Sequence, residues 1–417
     1  MTTRTLLVAG GGIGGMAAAL ACARQGWDVR LYERAAAFSE VGAGIQIGPN
    51  VVRLLQGWGL GEALRAVAAF PARLRVRDVA SGRTLGELGL AGMAGRYGAP
   101  YATIHRADLL QLLHAAVQAC PNVALQLGQA AEGFAAGADA VQLQLRDAAG
   151  RALPAAEGDA LLGADGLWSR LRQQLLHDGP PRLTGHLAYR ALAAQAELPP
   201  ELRSDEVTAW LGPRQHLVCY PVRGGALLNV VGFVHGRLPG MHTPSPDALA
   251  DWDHGANAAE LRAAFAGACA PLAALLQAVG AWRLWVMCDR PPMTRAAQQA
   301  RGRVALLGDA AHPMRPYLAQ GAGMAIEDAE ALAHALRQVG PAGPDVPAAL
   351  AHYAGERWQR NASVQARALR NGRIYHAAGP LRLGRDLAMA VLGEGLLDMP
   401  WLYGWRPPRP AAVRSRE

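Results

Sequence analysis

Short apolar runs followed by glycine-rich turns recur along this chain, and each pairs with a segment that has the period of a helix. Residues 5–9 form the first run, which leads through a glycine-rich turn into a small-residue helix at 16–24 and a second run at 29–33. A further run at 304–307 precedes a long segment with apolar side chains at helical spacing. Buried strands that alternate with helices in this way predict an α/β fold with a Rossmann-like domain.

The pattern of apolar positions changes between residues 183 and 290. Runs at 188–192, 217–222 and 227–234 are short, strand-like and joined by turns, which predicts an antiparallel sheet. Residues 74–88 add hairpin material of the same kind, and the tail from residue 345 has helical spacing. We therefore predict a discontinuous Rossmann-like domain over 1–72, 100–182 and 286–345, an inserted antiparallel-sheet substrate domain over 73–99 and 183–285, and a C-terminal helical segment over 346–417.

Length and charge narrow the functional classes. A chain of 417 residues is too long for one simple core, which fits the predicted division. The net charge is +8 with a pI near 9.6, and the cationic residues are arginines scattered along the chain. Because no nucleic-acid motif accompanies them, we expect no nucleic-acid partner and consider a small anionic substrate instead.

The five cysteines form no CxxC pair and lack the spacing of zinc ligands, so no metal site is expected. An odd number of unpaired thiols is typical of a cytoplasmic protein. No stretch reaches eighteen uncharged apolar residues, so no membrane span is expected. Acidic residues interrupt the apolar segment at 387–405, which favours a packed C-terminal helix over a membrane or partner surface. The sequence leaves monomer and homodimer open.

The turn after the first strand carries the fingerprint of a dinucleotide site. It contains Gly10-x-Gly12-x-x-Gly15, and the second strand ends in Glu33. The first glycine makes the turn, the second admits a pyrophosphate, the third lets helix and strand approach closely, and the acid can bind a ribose. This motif alone does not separate FAD from NAD. The cofactor contacts predicted here are Gly10, Gly12, Ile13, Gly14, Gly15, Glu33 and Arg34.

A second glycine-rich segment, at 42–50, favours FAD over NAD. A dehydrogenase that uses NAD does not need such a loop directly after the second strand, whereas an extended flavin ring must lie against backbone. We expect Gly44 and Ile45 to contact that ring. Arg106 begins another predicted helix, where it can reach a phosphate or remain a surface charge.

Two aspartates stand at the carboxyl ends of predicted strands, where α/β sheets bind their ligands. Asp165 with Gly166 follows one strand, and Gly308 with Asp309 follows another. Asp165 can support the cofactor or cap the next helix. Beyond them, a helix begins within a proline- and glycine-rich run, and its N-terminus suits an anion or an electron-rich carbonyl. The contacts predicted in that run are Pro316, Gly321, Ala322, Gly323 and Met324.

The predicted sheet domain supplies candidates for substrate chemistry. His216 and Tyr220 are four residues apart and would share one face of a strand, so both can face a pocket. A buried, satisfied histidine and a core tyrosine are the alternative interpretation. Arg190 and Arg315 are candidates to bind a substrate carboxylate, and either can instead serve the structure.

Three motifs together resemble those of the single-component FAD-dependent aromatic hydroxylases, the family of para-hydroxybenzoate hydroxylase, over roughly residues 5–340. They are the GxGxxG with Glu33, Asp165-Gly166, and Gly308-Asp309 with the run of prolines and glycines that follows. Segments 42–50, 104–106 and 319–328, together with the His216 and Tyr220 pair, are most similar to the enzymes for salicylate, 3-hydroxybenzoate and 6-hydroxynicotinate.

The resemblance implies FAD as cofactor and NADH or NADPH as a transient electron donor, since the chain has a single GxGxxG. It implies insertion of one oxygen atom of O2, through a flavin C4a-hydroperoxide, into a hydroxylated aromatic carboxylic acid of the salicylate or 3-hydroxybenzoate type. The residues expected to face the substrate are Gln46, Arg190, His216, Tyr220, Pro316 and Tyr317, with His216 and Tyr220 in the catalytic positions.

Two alternatives remain at this point. A FAD monooxygenase or epoxidase for a larger polyketide or isoprenoid substrate would share every FAD motif, and so would a non-catalytic flavin sensor. In the hydroxynicotinate enzymes, the positions of Gln46 and Tyr317 both look like histidine. Because this chain differs from them at both positions, the resemblance favours a hydroxybenzoate-type pocket.

Overall fold

The computed structural model describes residues 4–38, 42–236, 258–339 and 345–407. Its strands are, in chain order, β1 (Thr5–Ala9), β2 (Asp28–Glu33), β3 (Gly44–Ile47), β4 (Arg73–Asp78), β5 (Thr84–Gly89), β6 (Ala102–His105), β7 (Val123–Leu127), β8 (Gln129–Ala136), β9 (Val141–Asp147), β10 (Ala152–Gly158), β11 (Ala160–Gly163), β12 (Arg182–Ala194), β13 (Val207–Gly212), β14 (Gln215–Val222), β15 (Leu227–His235), β16 (Arg283–Asp289), β17 (Ala300–Arg301) and β18 (Val304–Leu306). Its helices are α1 (Ile13–Ala23), α2 (Pro49–Gly57), α3 (Gly61–Val67), α4 (Met93–Tyr97), α5 (Arg106–Gln118), α6 (Arg170–Leu176), α7 (Ala258–Ala264), α8 (Ala270–Ala278), α9 (Gly321–Arg337), α10 (Val346–Tyr375), α11 (Gly379–Leu392), α12 (Glu394–Leu397) and α13 (Pro400–Tyr403).

A six-stranded sheet has the order β17–β18–β11–β1–β2–β7. Five of its strands are parallel, and β17 at the edge runs antiparallel to β18. Strand β1 is buried apart from its first residue, as expected at the centre of a parallel sheet. Ala17, Ala18 and Ala19 of α1 are fully buried, and their small side chains let the helix approach its neighbours closely. The predicted α/β class with a Rossmann-like domain is confirmed.

A seven-stranded sheet has the order β16–β12–β15–β14–β13–β4–β5. Helices α7 and α8 cover one face, where Leu261, Phe265 and Leu272 belong to the same buried cluster as Leu217 and Leu228. The residues of β14 that alternate with Leu217 lie on the other face of the sheet, because successive side chains along a strand point to opposite faces. That second face is turned toward the cleft described below.

One strand pair in this sheet departs from the predicted antiparallel arrangement, because β13 and β4 run parallel. Their residues are separated by more than a hundred positions, so no hairpin turn sets their relative direction. The sheet takes its strands from residues 73–89 and 182–289. The predicted domain boundaries at 72/73, 99/100, 182/183, 285/286 and 345/346 stay predictions.

Two smaller sheets complete the described strands. Strands β8, β9 and β10 form an antiparallel meander, and β3 pairs with β6. The strands on either side of this meander, β7 and β11, join the parallel sheet instead. The glycine-rich segment at 42–50 contains strand β3, whose apolar Ile47 packs into the core. The last two residues of the segment begin helix α2.

The C-terminal part is helical, as predicted, and contains the thirty-residue helix α10. The expectation of a packed helix over 387–405 is only partly right. Met389 and Tyr403 are buried, whereas Leu387 and Val391 on α11 are 65% and 73% exposed. Polar positions do not alternate cleanly with apolar ones in this segment, so the sequence did not reveal the exposed apolar stripe. Among the described helices, none has both the length and the apolar character needed to cross a membrane.

Candidate active site

The main cleft lies between the parallel sheet and the seven-stranded sheet and has a volume of about 360 Å³. We call it cavity 1. It brings together predicted residues from seven separate segments: Gly12, Ile13, Gly14, Gly44, Ile45, Gln46, Arg106, Gly166, Arg190, Tyr220, Gly308, Asp309, Pro316, Gly321 and Ala322. The carboxyl ends of β1, β11 and β18 therefore meet at the cleft, as the ligand rule for α/β sheets requires.

The glycine loop after β1 has the geometry predicted for a pyrophosphate site. Gly10 adopts φ +107°, and a Cβ there would lie 2.4 Å from the carbonyl oxygen of Ala164. A Cβ on Gly15 would lie 1.9 Å from the carbonyl oxygen of Gly10, so helix and turn touch directly. Gly12 faces open space, and no side chain caps the N-terminus of α1. The free N–H groups of that helix end thus face the cleft and suit an anion.

Glu33 lies at the end of β2 and is already engaged by backbone. Its Oε2 accepts from the Gly11 N–H at 2.7 Å, and its Oε1 accepts from the Ala35 N–H at 2.9 Å. These bonds hold the glycine loop against β2 and leave lone pairs on both oxygens for a ribose hydroxyl. Neither Glu33 nor Arg34 lines cavity 1, so their contacts with the cofactor stay predictions.

Asp165 serves the structure with one oxygen and leaves the other available. Its Oδ2 accepts from the N–H groups of Arg170 and Leu171 at 2.9 and 3.3 Å, which caps α6. Its Oδ1 is buried and has no hydrogen-bond partner among the described residues. Burial raises the pKa of this carboxyl, although hydrogen bonds from Ser169 and the backbone oppose the shift. An orphaned buried oxygen beside Gly166 in the cleft fits a bound polar ligand.

The opposite wall of cavity 1 is the start of α9. Gly321 and Ala322 line the cleft, and the helix has no side-chain cap and no acid in its first turn. Its N-terminal dipole is therefore free to stabilise negative charge. Gly323 and Met324 lie behind this wall, because a Cβ on Gly323 would meet Val51 at 3.0 Å and Met324 is fully buried.

A buried ionic network holds this wall in place. Asp328 on α9 accepts from His312 at 2.5 Å, from Arg357 at 2.7 Å and from Asn361 at 2.9 Å. Burial alone would raise the pKa of Asp328, but His312 and Arg357 lower it well below its ordinary value. The network joins the loop that carries Asp309 to α9 and α10. Sequence reasoning missed it, because Arg357 and Asn361 lie about thirty residues downstream.

A second cavity of about 150 Å³ adjoins the first, and we call it cavity 2. The two cavities share the residues Gln46, Val218, Pro316 and Ala319. Apolar side chains of β4 and β13 form its floor: Leu74, Val76, Val207, Ala209 and Leu211. α10 and the segments after it form one further wall, which includes Arg367, Asn371, Tyr375, Met399 and Tyr403. No sequence motif marks these C-terminal residues, and they were not predicted.

Strand β14 connects the two cavities along one face. Tyr220 lines cavity 1, His216 lines cavity 2, and Val218 between them lines both. The predicted sharing of one strand face therefore exists in the structure. Whether the two side chains act in catalysis stays a prediction.

The environments of His216 and Tyr220 differ. His216 is buried, stacks on Phe233 with ring centroids 4.5 Å apart, and forms a 2.7 Å hydrogen bond through Nδ1 to His376. Burial and the nearby His376 lower the pKa of His216 well below its ordinary value, so its ring is a neutral acceptor at neutral pH. The Tyr220 hydroxyl donates to the Gly44 carbonyl at 2.7 Å, and burial raises its pKa. Tyr220 therefore stays protonated, as a donor.

Three arginines are candidates to bind a substrate carboxylate, and they differ in their position and in their protein partners. Arg315 donates to Asp289 at 2.8 Å, so it is already paired with a protein carboxylate. Arg190 lines cavity 1, where its guanidinium lies 3.6 Å over the Trp285 ring and burial lowers its pKa to about 10. Its Nε is also buried without a hydrogen-bond partner among the described residues. Arg367 lines cavity 2, and its Nε is buried without a partner in the described part of the chain. Sequence reasoning did not select Arg367.

Gln46 and Tyr317 are both placed at cavity 2. The Gln46 amide oxygen accepts from the Tyr101 hydroxyl at 2.5 Å, which fixes its orientation at the junction of the cavities. The Tyr317 hydroxyl bonds to His186, and its ring packs edge-on against His216. Both side chains are thus held by protein partners before any substrate enters.

A glycine loop, two uncapped helix N-termini facing one cleft and an orphaned aspartate oxygen fit a flavin dinucleotide, and the adjoining ring-sized cavity fits a separate substrate. These features define a FAD-dependent oxidoreductase. The family model described as "FAD binding domain" matches residues 2–368, and the chain belongs to this family. It is a FAD-dependent monooxygenase of the aromatic hydroxylase type.

Curated relatives resemble the chain over nearly its whole length. The 3-hydroxybenzoate 6-hydroxylase of Polaromonas naphthalenivorans (strain CJ2) is 38% identical over 413 residues, which is 96% of each chain. The 6-hydroxynicotinate 3-monooxygenase of Bordetella bronchiseptica is 36% identical, over 86% of this chain and 89% of its own. A solved salicylate hydroxylase–substrate complex superposes with a TM-score of 0.80 at 27% identity, covering 97% of this chain and 96% of that one. Klebsiella pneumoniae HpxO, solved with FAD and uric acid, gives 0.79 at 28% identity and covers 94% of both.

Proposed function

We propose that this protein uses NADH or NADPH and O2 to hydroxylate a monocyclic hydroxybenzoate, of the 3-hydroxybenzoate or salicylate type, held in cavity 2. Bound FAD supplies the electron transfer and oxygen activation. The observation that carries the proposal is cavity 2 itself: it adjoins the FAD cleft and contains one neutral acceptor, His216, and one uncompensated cation, Arg367. The named activities of the curated relatives support the same substrate class.

The size of cavity 2 favours one ring. Its volume of about 150 Å³ matches a cavity known to take up benzene. A polyketide or isoprenoid substrate would need a wider apolar space and no cation beside the ring. The larger-substrate alternative therefore has no feature of cavity 2 in its favour.

The proposed proton acceptor is His216. A phenol hydroxyl is a better nucleophile once it is deprotonated, and the neutral imidazole of His216 can take its proton. Tyr220 is a donor that lines cavity 1, where it positions β3 through its bond to Gly44. The apolar floor of cavity 2 excludes water, which suppresses wasteful loss of activated oxygen as peroxide.

Arg367 is the proposed anchor for the substrate carboxylate. Arg367→Gln should raise KM for a hydroxybenzoate roughly 10- to 100-fold, because a hydrogen bond to a charged group contributes about 1.5–3 kcal/mol. Steady-state kinetics with the acid and with its uncharged amide would measure the effect. In Arg367→Gln, KM should rise for the acid and not for the amide. The matched control is Arg370→Gln, at an exposed position on the same helix, which should leave KM for the acid unchanged. An unchanged KM in Arg367→Gln with a large rise in Arg190→Gln would move the anchor to cavity 1.

Tyr220→Phe tests the hydrogen bond that ties strand β14 to β3 in cavity 1. Loss of the hydroxyl frees the Gly44 carbonyl and loosens β3 against the substrate sheet. We expect the yield of hydroxylated product per NAD(P)H to fall more than the rate of flavin reduction. Product yield and peroxide measured side by side would show this, and an unchanged yield would remove Tyr220 from the mechanism.

Two further proposals concern the protein as a whole. The five cysteines are free, which supports the proposed cytoplasmic location. We leave the homodimer as a proposal that sedimentation of the purified protein would decide.

A further inference from the structure

Three histidines form a continuous chain from cavity 2 to the protein surface. His216 lines the cavity, and its Nδ1 lies 2.7 Å from Nε2 of His376. Nδ1 of His376 lies 2.9 Å from Nε2 of His235. His216 and His376 are buried, whereas His235 is exposed. The chain uses both ring nitrogens of His376 and leaves Nε2 of His216 without a hydrogen-bond partner in the described ranges.

This order of atoms suits directed proton transfer. A neutral imidazole has one N–H donor and one bare acceptor nitrogen. If each ring is protonated at Nδ1, His216 donates to His376, His376 donates to His235, and His235 donates to water. The bare Nε2 of His216 is then free to accept a proton from a substrate hydroxyl. With a substrate hydroxyl at Nε2 of His216 and water at Nδ1 of His235, every nitrogen in the chain then has a partner.

We propose that His376 and His235 relay the substrate's phenolic proton from His216 to solvent. The proposal rests on the proposed function, because it needs a phenol in cavity 2. One O–H bond of the substrate breaks and one N–H bond forms at Nε2 of His216. At the far end, one N–H bond of His235 breaks and water receives the proton. No oxidant, reductant or additional base is required.

The relay also resets without ring rotation. Outward transfer leaves each histidine protonated at Nε2. When the oxygenated product takes a proton back through the same hydrogen bonds, each ring returns to its Nδ1–H form. A relay of this kind holds no net charge between steps, which matters because Arg315, Arg214 and the neighbouring His186 all oppose a positive charge here. Burial, together with the neighbouring histidines and arginines, lowers the pKa of His376 to about 3.

A metal site is the competing explanation, because His186, His235 and His376 place their nitrogens within 4.8 Å of one another. The ring arrangement argues against it. His186 and His235 are stacked with centroids 4.3 Å apart and planes only 19° apart, so their in-plane lone pairs do not converge on one point. No carboxylate belongs to the cluster of described residues, and Arg315 and Arg214 would repel a dication.

The experiment follows ionisation of a bound phenol in the FAD-loaded enzyme after a pH jump. The probe is 5-hydroxy-2-nitrobenzoate, a 3-hydroxybenzoate whose nitro group makes the phenolate visible by absorbance. In stopped flow, His376→Phe should slow ionisation about 10²-fold with unchanged probe affinity, since the ring cannot carry a proton. His235→Gln should also slow it, and His352→Gln, on an exposed part of α10, should not.

Added imidazole should restore a fast ionisation rate to His376→Gly, which a purely structural histidine would not show. Wild-type ionisation rates in both His376→Phe and His235→Gln would overturn the relay. One equivalent of zinc that survives dialysis in the wild type and is lost in His235→Gln would overturn it in favour of a metal site. Failure of the wild type to bind the probe would instead overturn the proposed function.

Discussion

Replacing His216 with Asn is expected to lower the rate of aromatic hydroxylation by about 10²–10⁴-fold, the usual contribution of a positioned general base. FAD binding should be unchanged, because His216 lines cavity 2 and not cavity 1. The amide of Asn is too weakly basic to take a phenolic proton. Rapid-quench measurement of product after mixing reduced enzyme with oxygen isolates this step from flavin reduction. A variant that forms product at the wild-type rate would exclude His216 as the base.

The same histidine sets the pH dependence. Burial and the neighbouring His376, His186 and His235 lower the pKa of His216 well below 6.5, so the ring stays neutral as pH falls through that value. A base acts when it is unprotonated, so wild-type kcat/KM should keep its value through pH 6.5 and decline only at lower pH. An acidic limb centred near pH 6.5 that disappears in His216→Asn would contradict this environment.

Asp328→Ala is expected to lower the free energy of unfolding by about 3–5 kcal/mol, because removing one partner of a buried pair leaves charge uncompensated. Asp328 and Arg357 are both inaccessible to solvent, and Glu327 remains as the other carboxylate bonded to Arg357. The loss should extend to FAD, since the network holds the loop of Asp309 against the cleft. Urea unfolding and flavin fluorescence would measure the two effects.

Glu87→Ala is the control, since Glu87 forms surface pairs with Arg73 and Arg75 and its removal should have little effect. Asp328→Asn keeps the size and tests charge alone. The pKa of Asp328 is lowered in the folded state, so its contribution is present above about pH 4 and is lost as pH falls below that value. The stability difference between wild type and Asp328→Asn should therefore shrink in acid. A difference that grows in acid would contradict the assignment.

The cofactor half of the site was predictable because its signals are local. The positive φ of Gly10, the tight contact at Gly15 and the cap made by Asp165 each depend on residues within one strand–turn–helix unit. A local signal of this kind survives in the sequence as a spacing. The β14 pair, His216 and Tyr220, was visible for the same reason, since strand periodicity places every second side chain on one face.

The substrate half was only partly predictable, because its walls come from distant segments. His376 bonds to His216 across 160 positions, and Arg367 reaches cavity 2 from a helix whose sequence shows only amphipathic spacing. An arginine on such a helix normally faces solvent. Its lack of a partner is a property of the packed structure, so only the structure could separate Arg367 from the scattered surface arginines.

The most direct test of the account is oxidation of NADH and NADPH by the FAD-loaded protein, with oxygen and peroxide followed together. The panel is salicylate, 3-hydroxybenzoate, 4-hydroxybenzoate, 6-hydroxynicotinate and one bulky polycyclic phenol. We predict strong stimulation by a monocyclic hydroxybenzoate, with nearly one hydroxylated product per NAD(P)H and little peroxide. Stimulation by the polycyclic phenol alone, or by none of the panel, would contradict the assignment of cavity 2 to a hydroxybenzoate.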